Sequence, residues 1–260
     1  MEIWSVGMRI PHFLILAGDG VNCERETARA FELAGARASI QHVNDLLNAP
    51  EQLDKCDGLA LPGGFSFGDE LGSGRLLALK LRHQMTDAFE RLVRRRSPII
   101  GICNGFQVLM KLGLLPGPGN KPTATLTVNE GGHFIDRWVS LTVEPNTICT
   151  WTRTLGTAAS LELPVRHGEG RVVFKAGQES AMEARLADAG QIVLRYKTAI
   201  NGSQGNIAGL CDSTGTILGL MPHPEAFVRQ ATYRRLNGKV TAPGDGAGFF
   251  DSIISTLKNA

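Results

Sequence analysis

Three separated stretches of the chain carry residue types that together can run nucleophilic catalysis. The first is Gly101-Ile102-Cys103-Asn104-Gly105-Phe106-Gln107. A thiol between two glycines, where an apolar strand gives way to a helical pattern, has the arrangement of a nucleophile elbow. Such a turn holds its central residue in a strained backbone conformation. Glycines two positions to either side remove the clashes that side chains would make there. The turn also places the sulfur beside a helix N-terminus, where free N–H groups and the helix dipole favour the thiolate, the attacking species. An isolated cysteine most often packs as a small hydrophobe. The flanking glycines and the strand-to-helix switch argue against that here.

A thiolate nucleophile needs a base, and the base needs a group to orient it. Met221-Pro222-His223-Pro224-Glu225 offers both. Pro224 biases His223 toward extended backbone, so residues 223 and 225 point to the same side and the Glu225 carboxylate can fix the imidazole tautomer. Alone, this would read as a surface histidine in a proline-rich turn; beside an elbow it reads as base and orienter. The third stretch, Leu61-Pro62-Gly63-Gly64-Phe65, ends an apolar run. Consecutive glycines let backbone N–H groups approach a ligand. Such a donor, with the Asn104 N–H, would hold the oxyanion of a tetrahedral intermediate. Without the elbow the same glycines would be a plain turn.

The intervening chain has to bring these stretches together. Residues 12–17 read as a buried strand before the turn Gly18-Asp19-Gly20, and 24–34 as a helix ended by Gly35. Strands follow at 38–43 and 57–61. A long helix at 74–95 has Leu77, Leu81, Met85, Ala88 and Leu92 as its stripe, and the run Arg94-Arg95-Arg96 reads as a solvated C-terminus favoured by the helix dipole. A strand at 97–102 and a helix at 105–112 complete a strand–helix alternation that predicts a parallel sheet with helices on both faces. Residues 134–143, 164–174, 191–197, 206–212 and 216–221 read as further strands, adding antiparallel strands to one side. Phe250, Ile253, Ile254 and Leu257 mark a final amphipathic helix. The fold class is therefore α/β, and with no repeat, low-complexity tract or linker, residues 1–260 read as one domain.

Composition bounds the rest. In 260 residues, 43% hydrophobic and 20% charged content exclude wholesale disorder, and a net charge of +2 leaves no global field for nucleic acid or an anionic membrane. Thirty-one glycines exceed ordinary usage of about 7% and suit tight turns and strand ends. Five scattered cysteines without a CxxC pair indicate neither a zinc knuckle nor a disulfide framework, so a reducing cytoplasm is expected. No apolar run is long enough for a membrane span, and the one at 13–17 is too brief for an export signal. His167 and Glu169 are too few to hold a metal, and none is expected. His12, His42, His83 and His133 are isolated. Cys23 reads as packing beside the pocket, and Cys56, Cys149 and Cys211 as simple packing.

Pro-Gly-Gly, then Gly-Ile-Cys-Asn-Gly-Phe-Gln, then His-Pro-Glu, in that order, resembles the class I (triad) glutamine amidotransferases. More narrowly, Asn22-Cys23-Glu24, Pro62 to Asp69, Gly101 to Leu114, Arg137-Trp138-Val139, His167-Gly-Glu-Gly-Arg171 and Asn201-Gly202-Ser203 resemble the family of glutaminase subunits of phosphoribosylformylglycinamidine synthase. The likeness runs from about residue 12 to residue 227 and returns in the last helix. It implies a flavodoxin-like, mostly parallel sheet with extra antiparallel strands. It also implies that Cys103 attacks the glutamine carboxamide, His223 moves protons and Glu225 orients His223. Gly63 and Gly64 would line the substrate site, with Gly64 and Asn104 giving the oxyanion N–H groups and Gln107 near the bound glutamine.

Ammonia made this way needs an acceptor, and no Gly-x-x-x-x-Gly-Lys-Ser/Thr loop is present. The resemblance implies that ATP and Mg²⁺ act on a separate large synthetase subunit, with a small accessory subunit, converting formylglycinamide ribotide to formylglycinamidine ribotide in purine synthesis. Two departures stand out: Ala226 where many relatives carry arginine, and a long segment from Arg229 to Gly248, whose Arg229, Arg234 and Arg235 are candidates for a partner-facing surface. Met8 is an alternative start. Two other readings stay open on the residues: a glutaminase serving another synthetase (for pyridoxal phosphate, GMP or anthranilate), and a non-enzymatic cysteine-elbow protein acting as redox sensor or chaperone.

Overall fold

Short strands, apolar at nearly every position, build the centre of the molecule. The computed structural model describes residues 9–69, 71–117, 123–156, 159–233 and 242–259. In its first part β1 (His12–Ala17), α1 (Glu24–Leu33), β2 (Arg37–His42), α2 (Val43–Asn48), β3 (Gly58–Leu61), α3 (Arg75–Arg94), β4 (Ile99–Ile102) and α4 (Asn104–Leu112) follow one another. Then come β5 (Ala124–Thr127), β6 (Ile135–Val143), β7 (Ser160–His167), β8 (Arg171–Phe174), α5 (Glu179–Asp188), β9 (Ile192–Tyr196), β10 (Ile207–Cys211), β11 (Ile217–Leu220) and α6 (Ala247–Lys258). Every residue of β3, β4, β10 and β11 is buried, as sheet-centre strands covered on both faces must be.

The main sheet has nine strands in the order β2-β1-β3-β4-β11-β10-β9-β6-β7. The first five pair in parallel, and β10, β9, β6 and β7 extend the sheet antiparallel on one side. From β1 the chain moves outward to β2 through α1, and from β3 it moves the opposite way to β4 through α3. Right-handed crossovers in opposite directions put those two helices on opposite faces. On the α1 side, Phe31 stacks on Phe13 of β1 at 4.1 Å between centroids and meets Phe250 of α6 edge-on at 5.0 Å. Fully buried Trp151 closes this aromatic cluster and donates its indole N–H to the Thr216 carbonyl at 2.9 Å.

Several elements depart from the sequence reading. The expected strand at 164–174 is two strands, β7 and β8, broken at Gly168-Glu169-Gly170; β8 leaves the main sheet to pair with β5. β5 and α5 are elements the periodicity does not reveal. Leu186 is the one fully buried residue of α5, so that helix has no apolar stripe to read. The second strand ends at His42, whose ring accepts the Asn44 N–H and caps the short helix α2. Arg95 is no solvated helix end. Its guanidinium donates to the carbonyls of Leu53, Asp54 and Cys56, stapling α3 to the preceding turn. Met8, Arg234 and Arg235 lie outside the described residues.

Candidate active site

The three chemical stretches meet because their strands are neighbours. β3, β4 and β11 run parallel, with Leu61 opposite Gly101 and Leu220 opposite Ile102, so their following loops leave the sheet at one edge. The crevice at strand carboxyl ends is where open α/β sheets bind ligands. At the end of β4, Cys103 takes φ 52° and ψ −104°, a region that non-glycine residues rarely occupy. The flanking glycines permit this by close packing. A Cβ on Gly105 would lie 1.9 Å from the Leu61 carbonyl oxygen, and one on Gly101 2.6 Å from that of Gly105. The Cys103 N–H donates to the Leu220 carbonyl at 2.8 Å, locking the elbow to β11. α4 starts at the next residue, so the Asn104 N–H belongs to the first turn, which has no acceptor within the helix.

His223 arrives from β11, its N–H donating to the Pro164 carbonyl at 2.9 Å. Its Nδ1 donates to Glu225 Oε1 at 2.6 Å, with the two side chains only 3% and 1% exposed. That bond fixes the tautomer and leaves Nε2 for proton transfer. Burial alone would lower the pKa of this ring, but the Glu225 carboxylate and the nearby Cys103 and Cys23 sulfurs hold it well above the ordinary imidazole range. A charged ring beside a thiol is the setting in which a thiolate is stabilised. The turn Pro224–Phe227, which follows His223 and carries Glu225, is anchored by Phe227, which packs on Trp138 at 5.1 Å and on Tyr233 at 5.0 Å.

Gly63 passes directly beside the pair: a Cβ there would meet His223 Cε1 at 2.7 Å and Cys103 Cβ at 3.5 Å. Gly64 has φ 148° and abuts the loop after β1 so closely that its Cβ would fall 2.4 Å from the Gly20 carbonyl oxygen. Phe65 N–H donates to that oxygen at 2.7 Å, while the N–H groups of Asn22 and Cys23 donate to the Gly63 carbonyl. The glycine pair is thus held rigidly under the elbow.

Asn104 and Gln107 are both buried and their side chains are engaged. Asn104 Nδ2 donates to Gln107 Oε1 at 3.0 Å and to Asp69 Oδ1 at 3.2 Å; Gln107 Nε2 donates to the Glu169 carbonyl at 2.5 Å. Gln107 therefore ties the elbow helix to the loop after β7. Asp69 also accepts from Ser73 and the Gly74 N–H, and burial raises its pKa, with the Glu169 charge adding to the effect.

The loop after β7 is organised by Asn129. Its amide donates to the carbonyls of His167 and His133 and accepts from the Gly170 N–H and His167 Nδ1. His167 is buried, and burial together with the His223 charge lowers its pKa to about 4, so it is a neutral scaffold imidazole. The carbonyl of Arg166, near the end of β7, lies 3.5 Å from Cys103 Sγ. Ser203 accepts the Val172 N–H and Arg171 donates to the Gly202 carbonyl, so these two stretches brace each other. His167 and Glu169 do not converge on one point: Glu169 turns its carboxylate to the Ser73 N–H.

Cys23 is what the sequence reading undervalued. Its sulfur, a His223 nitrogen and a Glu225 carboxylate oxygen lie within 4.8 Å of one another. The Asn22-Cys23-Glu24 stretch was the available signal. A groove of about 1180 Å³ lies between α3 and α4, lined by residues such as Leu79, Phe89 and Met110, and touches none of the triad.

Residues 10–254 match the model of the CobB/CobQ-like glutamine amidotransferase domain family. Phosphoribosylformylglycinamidine synthase subunit PurQ from Dehalococcoides mccartyi is 39% identical over 248 residues, covering 93% of this chain and 95% of that protein. The subunit of the same name from Corynebacterium jeikeium is 40% identical over 232 residues, covering 89% and 92%. The chain belongs to the PurQ family. A chain of the PurLQS structure from Thermotoga maritima matches with TM-score 0.76 at 32% identity, over 96% of this chain and 100% of that one. A putative GMP synthase subunit from Thermoplasma acidophilum shares the fold, with TM-score 0.58 at 16% identity. Within the PurQ family the α/β sheet, the enzyme class and the amidotransferase function follow together. Among the described residues no helix is long and apolar enough to cross a membrane.

Proposed function

We propose that this chain is the glutaminase subunit of phosphoribosylformylglycinamidine synthase and works through a Cys103–His223–Glu225 triad. The Cys103 thiolate adds to the carboxamide carbon of glutamine. The Gly64 and Asn104 N–H groups hold the resulting oxyanion, with Gly63 and Gln107 shaping the substrate side of the crevice. His223 gives a proton to the departing ammonia, leaving a γ-glutamyl thioester. It then takes a proton from water as that water attacks the thioester, and glutamate leaves. Glu225 holds His223 in place throughout. The observation that carries this reading is the buried 2.6 Å His223–Glu225 bond set beside a cysteine in a strained elbow. A cysteine-elbow sensor has no use for that pair.

The ammonia passes to a large synthetase subunit, accompanied by a small accessory subunit, which uses ATP and Mg²⁺ to convert formylglycinamide ribotide to formylglycinamidine ribotide. The chain itself takes no cofactor, a reading supported by its lack of a phosphate-binding Gly-x-x-x-x-Gly-Lys loop. Residues 1–260 act as one amidotransferase domain in the cytoplasm, in keeping with one contiguous core cluster among the described residues and five free cysteines. The test is glutamate release with the synthetase subunits, formylglycinamide ribotide and ATP. Cys103→Ala is expected to abolish glutamine-dependent turnover while leaving synthesis from free ammonia intact. Near-normal glutamine turnover in that variant would refute the assignment.

A further inference from the structure

Two parts of the sequence have no role in the reaction described so far: the Arg137-Trp138-Val139 stretch and the long segment that begins at Arg229. The fold brings them together behind the catalytic turn. Trp138 lies opposite Pro164 in the β6–β7 pair, and Ser140 opposite Glu162. Alternation along each strand puts these four residues on one face of the pair. Tyr233 packs on that face. Its ring meets Trp138 edge-on at 4.9 Å and stacks on Phe227 at 5.0 Å, while its hydroxyl donates to Glu162 Oε2. Glu162 is held in turn: its Oε1 accepts from the Ser140 hydroxyl at 3.1 Å, and its N–H donates to Asp245 at 2.7 Å. The segment is also sewn to the turn through its backbone. Thr232 Oγ1 donates to the Ala226 carbonyl, the Gly244 N–H to that of Val228 and the Gly246 N–H to that of Phe227. Only glycine allows this approach at 244, since a Cβ there would lie 2.7 Å from Phe227 Cδ2.

Glu225 therefore sits between two fixed points. Before it, the His223 N–H is bonded to the Pro164 carbonyl; after it, Phe227 is gripped by Trp138 and Tyr233. We propose that Tyr233 is a positioning residue of the catalytic pair, clamping Phe227 so that the Glu225 carboxylate stays on His223 Nδ1. In this role it acts through Glu225 and not on the substrate. The ring does the clamping, and the hydroxyl aims the ring through Glu162. A smaller, non-planar side chain at 233 uncovers one side of Phe227, and the turn loses the contact that fixes its second end. The Glu225–His223 bond is 2.6 Å long, and hydrogen bonds weaken steeply with misalignment, so a small drift of the turn is felt at the imidazole. The consequence for glutamine hydrolysis rests on the triad reading above, whereas the clamp itself does not.

The test compares Tyr233→Leu with Tyr233→Phe in the full synthetase mixture, reading glutamate release with ammonia-dependent synthesis as control. Tyr233→Leu is expected to lower kcat for glutamine by about tenfold, with KM within about twofold and ammonia-dependent synthesis unchanged. Tyr233→Phe keeps the ring and is expected to stay within about threefold of wild type. Coupling separates positioning from a merely structural role. Added to Glu225→Gln, Tyr233→Leu should cost less than about threefold further, because the group it acts through is already gone. Wild-type kcat in Tyr233→Leu, equal losses in the Leu and Phe variants, or a full loss in both backgrounds overturns the proposal. Histidine NMR of the free subunit gives a readout independent of turnover. The groups facing the His223 ring are Glu225, Cys103, Cys23 and His167, and loosening the first lowers the imidazole pKa. That pKa is expected to fall in Tyr233→Leu and to hold in Tyr233→Phe; an unchanged value in Tyr233→Leu overturns the clamp. Should Tyr233→Leu not fold, Tyr233→Met, which keeps the volume without the flat ring, carries the same expectations. If the imidazole shifts as expected but the wild-type mixture never releases glutamate, the clamp stands and the catalytic reading fails.

Discussion

Gly63→Ala separates catalytic geometry from folding at one atom. The added methyl would lie 2.7 Å from His223 Cε1, and 3.5 Å from Cys103 Cβ, which is an ordinary contact. Carbon atoms prefer about 3.5–4.0 Å, so relief requires the imidazole to shift by about 0.8 Å or more. The ring cannot slide freely, because Nδ1 is held by Glu225 at 2.6 Å and both side chains are buried. A misplacement of about 1 Å at a reacting group costs about 100-fold, equivalent to about 2.7 kcal/mol of barrier. Gly63 does not use the left-handed backbone region, so alanine is not strained there and reduces the freedom of the unfolded chain by about 0.4–1 kcal/mol. The expected result is kcat for glutamine hydrolysis lowered about 100-fold, with Tm changed by no more than about 4 °C. Glutamate release by the full synthetase mixture, scanning calorimetry and ammonia-dependent synthesis as control make the comparison. A rate within about threefold of wild type, or a Tm lowered by about 10 °C, would refute the reasoning.

Three further outcomes follow from the same geometry. Glu225→Gln should lower glutamine turnover by about 10²–10⁴-fold by freeing the imidazole. Because the folded-state pKa of His223 is raised, its stabilisation is complete below the ordinary value of about 6.5 and fades as pH rises through the folded-state value. The Tm deficit of this variant should therefore be larger near about pH 6 than near about pH 9. His167 has the opposite sign: with its pKa lowered to about 4, the unfolded chain binds more protons below about pH 6.5, and stability should fall by about 3 kcal/mol on acidification toward pH 4. His167→Gln should flatten that slope in urea titrations across the window; an unchanged slope would show that the ring titrates normally. Phe227→Ala, which empties the aromatic anchor of the catalytic turn, should cost about 3–5 kcal/mol in urea unfolding and lower kcat as well.

The elbow, the His-Pro-Glu turn and the glycine pair were all legible in the linear chain, because each depends on local backbone rules. A glycine two residues from a cysteine and a glycine pair at a strand end permit turns that other residues cannot make, and a proline after a histidine restricts that histidine, wherever they occur. The strand–helix alternation was legible for the same reason, since buried strands and amphipathic helices carry their own periods. α5 is not legible, because its single fully buried residue leaves no stripe, and β7 and β8 read as one strand because the break between them depends on what Asn129 bonds from a distant loop.

What only the tertiary structure decided is which side chains converge. The order β3-β4-β11 brings residues 63, 103 and 223 to one edge, and no local rule sets that order. Gln107, which the resemblance places near the bound glutamine, bonds its amide to Asn104 and the Glu169 carbonyl, partners that no sequence pattern names. Arg95 reads as a solvated helix end but is consumed by three carbonyls. Cys23 reads as packing, and the fold sets its sulfur beside His223 and Glu225. Hydrogen bonds and charge contacts act over a few ångströms of space, whereas sequence patterns report only neighbours along the chain. The chemistry available to each residue was therefore written in the chain, and the partner it acts on was set by the packing of the sheet.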